Sequence, residues 1–304
     1  MKISEAIKNV QDFYDISCPS EDEVFIYTES LAYLIEETRQ PGYMMELGGY
    51  YYEIKNFELA LKYYEMAADY DYEPAYACLG YVWYYGRTGS KDYEKAFNYF
   101  SKSADAGNKV SKYKLADMYR NGYFVKADYE KYKSIIEDLY MNMSKITNLN
   151  EPVPEIYTRM AKIRSTEADS VQDVSLKEDL IDEAVNMYLN AKRFLALRIH
   201  YNAFFGNLSI MKYLIDDLYE LREFDEKDFD FYDLYYLFQT PHKISFIYKR
   251  HKYMLESTLE DDGIAINFDG NWFRSIDDFF AKAQIGKKKL TAIEDEFGIF
   301  KIEN

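Results

Sequence analysis

Through the first 220 or so residues, apolar side chains return every three or four positions, the spacing that gathers them on one face of a helix. Ile7, Val10 and Phe13 do this over 3–14, and Phe25, Ile26, Leu31, Tyr33, Leu34 and Ile35 over 21–38, where Pro41-Gly42 ends the run. Beyond Thr240-Pro241 the spacing falls to two. Ile244–Tyr248, Lys252–Glu256 and Ile264–Phe268 then read as short strands, with Asp262-Gly263 and Asp269-Gly270 as turns that need positive φ. Ser275-Ile-Asp-Asp278 starts a helix running to about Ala283, Leu290–Glu296 reads as a second, and Gly298–Ile302 as a last strand.

Between the two helices at the start and residue 143, one pattern recurs. Phe57-Glu-Leu-Ala60, Tyr93-Glu-Lys-Ala96 and Tyr129-Glu-Lys-Tyr132 lie 36 residues apart, and Tyr63-Tyr64, Tyr99-Phe100 and Ile135-Ile136 keep the same step. Ahead of each stands a second motif, Leu47-Gly48-x-x-Tyr51, Leu79-Gly80-x-x-Trp83 and Leu115-Ala116-x-x-Tyr119. A fixed period in this range marks stacked helical hairpins, none of which buries its apolar face alone. The middle unit is the clearest: Pro74 opens one helix, Gly86-Arg-Thr-Gly89 turns, Asp92 caps the second helix, and Gly107-Asn108 closes it. The small residues at 48, 80 and 116 let paired helices approach closely, and Ala68 and Ala104 do so between units.

Leu79-Gly80-x-x-Trp-Tyr-Tyr-Gly86, followed by Asp92-Tyr-Glu-Lys-Ala96 and Ala104-x-x-Gly107-Asn, resembles a Sel1-like repeat, a relative of the tetratricopeptide repeat. The unit at 109–143 matches with Ala116 for Gly and Tyr132 for Ala, and the shorter turn at 41–72 is closer to a tetratricopeptide unit. The resemblance implies a mainly α fold: a right-handed α-α solenoid, a Sel1/TPR-like superhelix, followed by a small α+β C-terminal domain. Residues 1–222 are assigned to the solenoid, with 1–40 as capping helices, 41–143 as the clear repeats and 144–222 as degenerate ones. Within that last part, 148–154 reads as a break, 156–168 and 176–194 as helices, and 195–205 with 208–221 as a further hairpin stopped at Gly206-Asn207. Residues 223–240 read as an acidic, aromatic linker or capping helix, and 241–304 as the α+β tail, similar to appendage domains on bacterial proteins of unknown role.

Composition narrows the function classes. Hydrophobic residues at 48%, with 33 Tyr and 20 Phe, indicate a packed chain. No apolar run spans a bilayer, and Met1-Lys-Ile-Ser-Glu enters a helix directly, so neither a membrane span nor a leader is expected. Cys18 and Cys78 form no CxxC, which points to a reduced, cytoplasmic protein. The net charge is −16; the first 240 residues carry 27 basic and 42 acidic side chains, whereas 241–304 hold 10 and 11. An acidic body repels phosphate backbones, leaving protein or peptide partners, basic ones in particular, and no nucleic acid.

No catalytic residue, metal site or cofactor is expected from the sequence. His200, His242 and His251 are scattered, without a nucleophile or carboxylate at a triad spacing. Asp225–Asp230 lacks the bending Gly and terminal Glu of a calcium loop, Gly86–Gly89 lacks the Lys-Ser/Thr ending of a phosphate loop, and Lys287-Lys-Lys289 is one short cluster. In related helical-repeat folds the first helix of each pair lines the concave side. Carried over by position, this implies a partner-binding set of Met45, Tyr52, Tyr81, Tyr84, Tyr85, Tyr113, Asp117 and Arg120. The expectation is a non-enzymatic adaptor. Its alternatives are a bacterial immunity-type protein that neutralises a cognate toxin by charge complementarity, and an enzyme with its site near the tail. Partner identity and oligomeric state are not legible.

Overall fold

The computed structural model describes residues 1–16, 19–143, 151–226, 229–261 and 263–303. Cys18, Asp262 of the expected turn, 148–150 of the expected break and 227–228 of the acidic stretch therefore lie outside the described residues. The chain divides into two compact units, Met1–Leu139 and Tyr140–Asn304. Among the described residues no helix is long and apolar enough to cross a membrane.

The first unit is a run of helices: α1 Ile3–Phe13, α2 Glu21–Thr38, α3 Pro41–Glu53, α4 Phe57–Ala68, α5 Glu73–Tyr85, α6 Tyr93–Asp105, α7 Lys109–Asn121 and α8 Tyr129–Met141, whose last turn crosses the unit boundary. From α1 to α7 each packs on the next, and α5 also packs on α7, the stacking that a helical repeat requires. Local chemistry sets the ends. Ser20 and Glu23 form a reciprocal capping box at the start of α2. Asn56, Asp92 and Asp128 each accept a hydrogen bond from the backbone N–H three residues on, at 3.3, 2.9 and 2.9 Å. These caps also keep the 36-residue step, and each gives its own N–H to the carbonyl of Tyr51, Trp83 or Tyr119 at 2.8, 3.0 and 2.8 Å. The two recurring motifs are thereby tied together in every unit.

Gly86 and Gly122, again 36 apart, end α5 and α7 in the left-handed region at φ 63° and 68°. The shorter first turn does the same at Lys55, φ 63°, without a glycine. The small positions on α3 and α5 have a more specific use than close approach alone. A Cβ on Gly48 would lie 2.7 Å from the Tyr64 ring of α4, and one on Gly80 would lie 2.5 Å from the buried Phe100 ring of α6. Each glycine is the seat of an aromatic ring. Equivalent rings also share neighbours: Phe57 meets Tyr52 edge-on at 5.2 Å, and Tyr93 meets Tyr84 edge-on at 5.8 Å.

The second unit opens with α9 Val153–Ser170, α10 Val174–Tyr201 and α11 Phe205–Leu221. Three expected boundaries differ. Pro154 sits in the first turn of α9, where a missing N–H costs no bond, instead of in a break. No turn separates Phe194 from Leu195, and α10 runs unbroken for 28 residues, because no Gly, Pro or capping side chain interrupts its apolar stripe there. Gly206-Asn207 starts α11 instead of stopping a helix: a Cβ on Gly206 would lie 2.5 Å from the Phe204 ring, and the Asn207 amide donates to the Asn202 carbonyl at 2.8 Å.

After a 3-10 turn, Phe231–Asp233, and the short α12, Leu234–Leu237, the chain enters the sheet. Strands β1 Lys243–Tyr248, β2 His251–Glu260, β3 Gly263–Phe268, β4 Asn271–Phe273 and β7 Gly298–Glu303 pair antiparallel in the order β4-β3-β2-β1-β7. Helix α13, Ile276–Lys282, and the two-residue pair β5 Gln284–Ile285 with β6 Lys288–Lys289 lie between β4 and β7. Asp269 and Gly270 both have positive φ, at 50° and 83°, as the expected turn needs. The β1–β2 turn uses Lys249 and Arg250 at φ 46° and 69°, with no glycine to announce it. Residues 290–296 form two 3-10 turns, Leu290–Ala292 and Glu294–Glu296, in place of a helix.

One apolar core joins α10 and α11 to the sheet through Leu195, Leu214, Leu218, Phe231, Tyr235, Phe246, Phe268 and Phe280. The aromatic residues of 229–238 are its middle layer: Phe231, Tyr232 and Tyr235 are at most 2% exposed. Burial of rings of this size, each removing on the order of 150–250 Å² from water, accounts for the density of aromatics here.

Candidate interaction surface

The tyrosines of α5 and α7 face each other. Tyr81 and Tyr113 share a short hydroxyl–hydroxyl hydrogen bond of 2.6 Å, and Tyr113 is buried. Between the two helices lies Lys114, only 5% exposed. Its ammonium is 5.0, 5.0, 4.9 and 5.4 Å from the ring centroids of Tyr81, Tyr84, Tyr85 and Tyr113. It donates a hydrogen bond to the Tyr85 hydroxyl at 2.7 Å and lies 3.8 Å from an Asp117 oxygen. A buried ammonium requires compensation. Here four tyrosine rings, the Tyr85 hydroxyl and the Asp117 carboxylate supply it together.

A second cation extends the wall. Arg87, from the turn after α5, donates from Nε to the Tyr52 hydroxyl at 3.1 Å. Its guanidinium carbon is 5.7, 5.2 and 4.8 Å from the centroids of Tyr52, Phe57 and Tyr85. Burial raises the Tyr52 phenol above its ordinary range, and the Arg87 charge opposes that shift. Tyr85 thus lies between two cations of its own chain while remaining 40% exposed. A related pairing recurs at the starts of α6 and α8, where Lys95 and Lys131 each sit 4.0 Å from the centroid of the equivalent ring, Trp83 and Tyr119.

Of the eight residues expected from the sequence, six gather here: Tyr52 through Arg87, and Tyr81, Tyr84, Tyr85, Tyr113 and Asp117 around Lys114. Met45 does not join them; it is half-buried against the apolar clusters of α2–α5. Arg120 is exposed, with its guanidinium 5.4 Å from the Tyr132 ring. The two cations that organise the wall were missed. Arg87 reads as an ordinary turn residue. Lys114 had a usable signal, because it stands just before Leu115 where the preceding unit has the half-buried Cys78 before Leu79. A lysine at an inward repeat position needs a partner.

The model of the Sel1 repeat family matches residues 42–69, 74–108 and 110–131. Among solved structures, the chain is similar to a Sel1 repeat protein from Oxalobacter formigenes, at 17% identity over 66% of this chain and 89% of that one, with a TM-score of 0.41. It is also similar to a protective antigen present in uropathogenic Escherichia coli strains that displays an SLR fold, at 19% identity, 64% and 44% coverage and a TM-score of 0.41. No curated protein matches the chain. The helical hairpins between residues 42 and 131, which share their caps, are Sel1 repeats.

Proposed function

We propose that this chain is a non-enzymatic, cytoplasmic scaffold that docks a protein or peptide against the α5–α7 wall. The carrying observation is the convergence of six expected positions on one tyrosine-lined surface braced by Arg87 and Lys114. Internal cations hold these rings in fixed orientations, so little side-chain entropy remains to be lost when a partner arrives. The partner meets the exposed part of Tyr85 and the Arg120 guanidinium, while the surrounding excess of carboxylates favours basic segments and repels nucleic acid.

The test begins with affinity capture from the native host and mass spectrometry, followed by calorimetry on the partner recovered. Tyr85→Ala combined with Arg120→Ala is expected to weaken binding by about 2 kcal/mol, or some 30-fold, as truncating hot-spot residues does. An unchanged affinity in a variant with wild-type circular dichroism would remove the wall from the proposal.

A further inference from the structure

The second unit brings together three side chains that the sequence keeps far apart. His200 projects from the last turn of α10, while Glu294 and Asp295 come from the final 3-10 turn before β7. That turn is held in place by buried Leu290 and Ile293, and the preceding turn packs directly on α10. His200 Nδ1 lies 3.6 Å from Glu294 Oε2 and 4.0 Å from Asp295 Oδ1. These separations are too long for hydrogen bonds. The Glu294 side chain is only 11% exposed, and its Oε2 is buried without a hydrogen-bond partner although it faces the imidazole. An orphaned, buried carboxylate oxygen is costly unless something charged belongs beside it.

We propose that His200, Glu294 and Asp295 form a binding site for a divalent transition-metal ion, with Zn2+ as the best match. Two donors bound about 2.1 Å from a common ion stand about 3.4 Å apart at a tetrahedral angle, and farther apart as the angle opens. The three donor atoms here all lie within 4.8 Å of one another, so a small rotation of the exposed Asp295 side chain brings the set inside the about 4.2 Å that two such bonds can span. One imidazole nitrogen with two carboxylates favours zinc-like ions over Mg2+ or Ca2+, which prefer oxygen alone. The other Glu294 oxygen accepts a hydrogen bond from the Tyr232 hydroxyl at 3.2 Å, the outer partner that orients a ligating carboxylate. Asp295 is 70% exposed, so the site opens to solvent on one side, leaving coordination positions for water or for a donor from another molecule.

The experiment uses the full, tag-free chain stripped with chelator and titrated with ZnCl2 by calorimetry, with Co2+ absorption as a check on nitrogen ligation. The expected result is saturable one-to-one binding, weakened on the order of 100-fold in His200→Ala and about 10-fold in Tyr232→Phe. Asp295→Asn, at an exposed position that does not threaten folding, is expected to lose about 10-fold, and His251→Ala to change nothing. Absence of saturable binding overturns the proposal. So does undiminished affinity in Asp295→Asn, or a loss in His251→Ala as large as in His200→Ala. Should His200→Ala fail to fold by circular dichroism, Asp295→Asn with the His251 control decides the matter.

Discussion

Each unit buries a lysine to the same degree and solves the problem differently. Lys114 in the Sel1 repeats is surrounded by four tyrosine rings, with Asp117 at 3.8 Å. Lys192 of α10 is held instead by full charges, 2.6 Å from Asp233 and 2.8 Å from Asp230. Asp233 is itself completely buried and also accepts from the Tyr219 hydroxyl at 2.9 Å and, through its other oxygen, from the Asp230 N–H at 2.8 Å. Burial raises the Asp233 carboxyl above its ordinary range, with Asp230 adding to the shift and Lys192 opposing it. Uncharged rings lose no charge partner when the cation goes, and Asp117, the one carboxylate beside it, keeps some exposure to solvent. Removing it from beside a buried carboxylate leaves an uncompensated charge.

The sharpest test of that difference pairs Lys192→Met with Lys114→Met. The first is expected to cost about 3 kcal/mol, the cost of orphaning one side of a buried ion pair, moderated by the two donors Asp233 keeps. The second is expected to cost under about 1 kcal/mol, because a thioether packs well against aromatic faces. Urea denaturation measures both, and equal losses would break the comparison.

Next in size is a change that asks whether ring seating or ring charge matters more in the repeats. Gly80→Ala gains about 1 kcal/mol of helix propensity but drives a methyl into the Phe100 ring. Overpacking of this kind costs about 1–3 kcal/mol, and Phe100 is wholly buried, so a net loss near 1 kcal/mol is expected. Gly49→Ala, where a Cβ would meet nothing, is the control expected to be neutral or stabilising.

The remaining tests concern the sheet. Hydrogen bonds from Lys252 and Ser245 hold the Glu303 carboxyl down to about 2. A lowered carboxyl contributes stability that is complete above the unfolded value of about 4.3 and is lost as pH falls toward 2. Glu303→Gln is therefore expected to flatten acid denaturation between about pH 4 and 2, where the wild type is steepest through this group. The smallest effect is a gain: replacing Lys249-Arg250 with Asn-Gly, residues suited to two positive φ values, is expected to add up to about 1 kcal/mol. A loss there would mean that the two basic side chains do more than turn the chain.

The repeats were legible because their caps and turns act over short spans. The caps Asn56, Asp92 and Asp128 bind N–H groups three residues away, and Gly86 and Gly122 set only their own φ. Strand periodicity after Thr240 was legible for the same reason, down to the Asp269-Gly270 turn. The boundaries after residue 150 were less so, because Gly206 and Pro154 are read as breakers in isolation. Either residue can start a helix as well as end one, and the Phe204 ring seated on Gly206 and the first-turn place of Pro154 mark starts.

What the sequence determined by itself, then, is the helical period, the capping, the change to strands and the aromatic character of the α5–α7 face. Only the tertiary structure decided that Lys114 and Arg87 would occupy that face, that Asp233 would meet Lys192, and that His200 would stand beside Glu294 and Asp295. The physical reason is the reach of the forces. Backbone hydrogen bonds and side-chain periodicity work within a turn or two, whereas the partner of a buried charge is chosen by whichever distant segment shares the same dry interior.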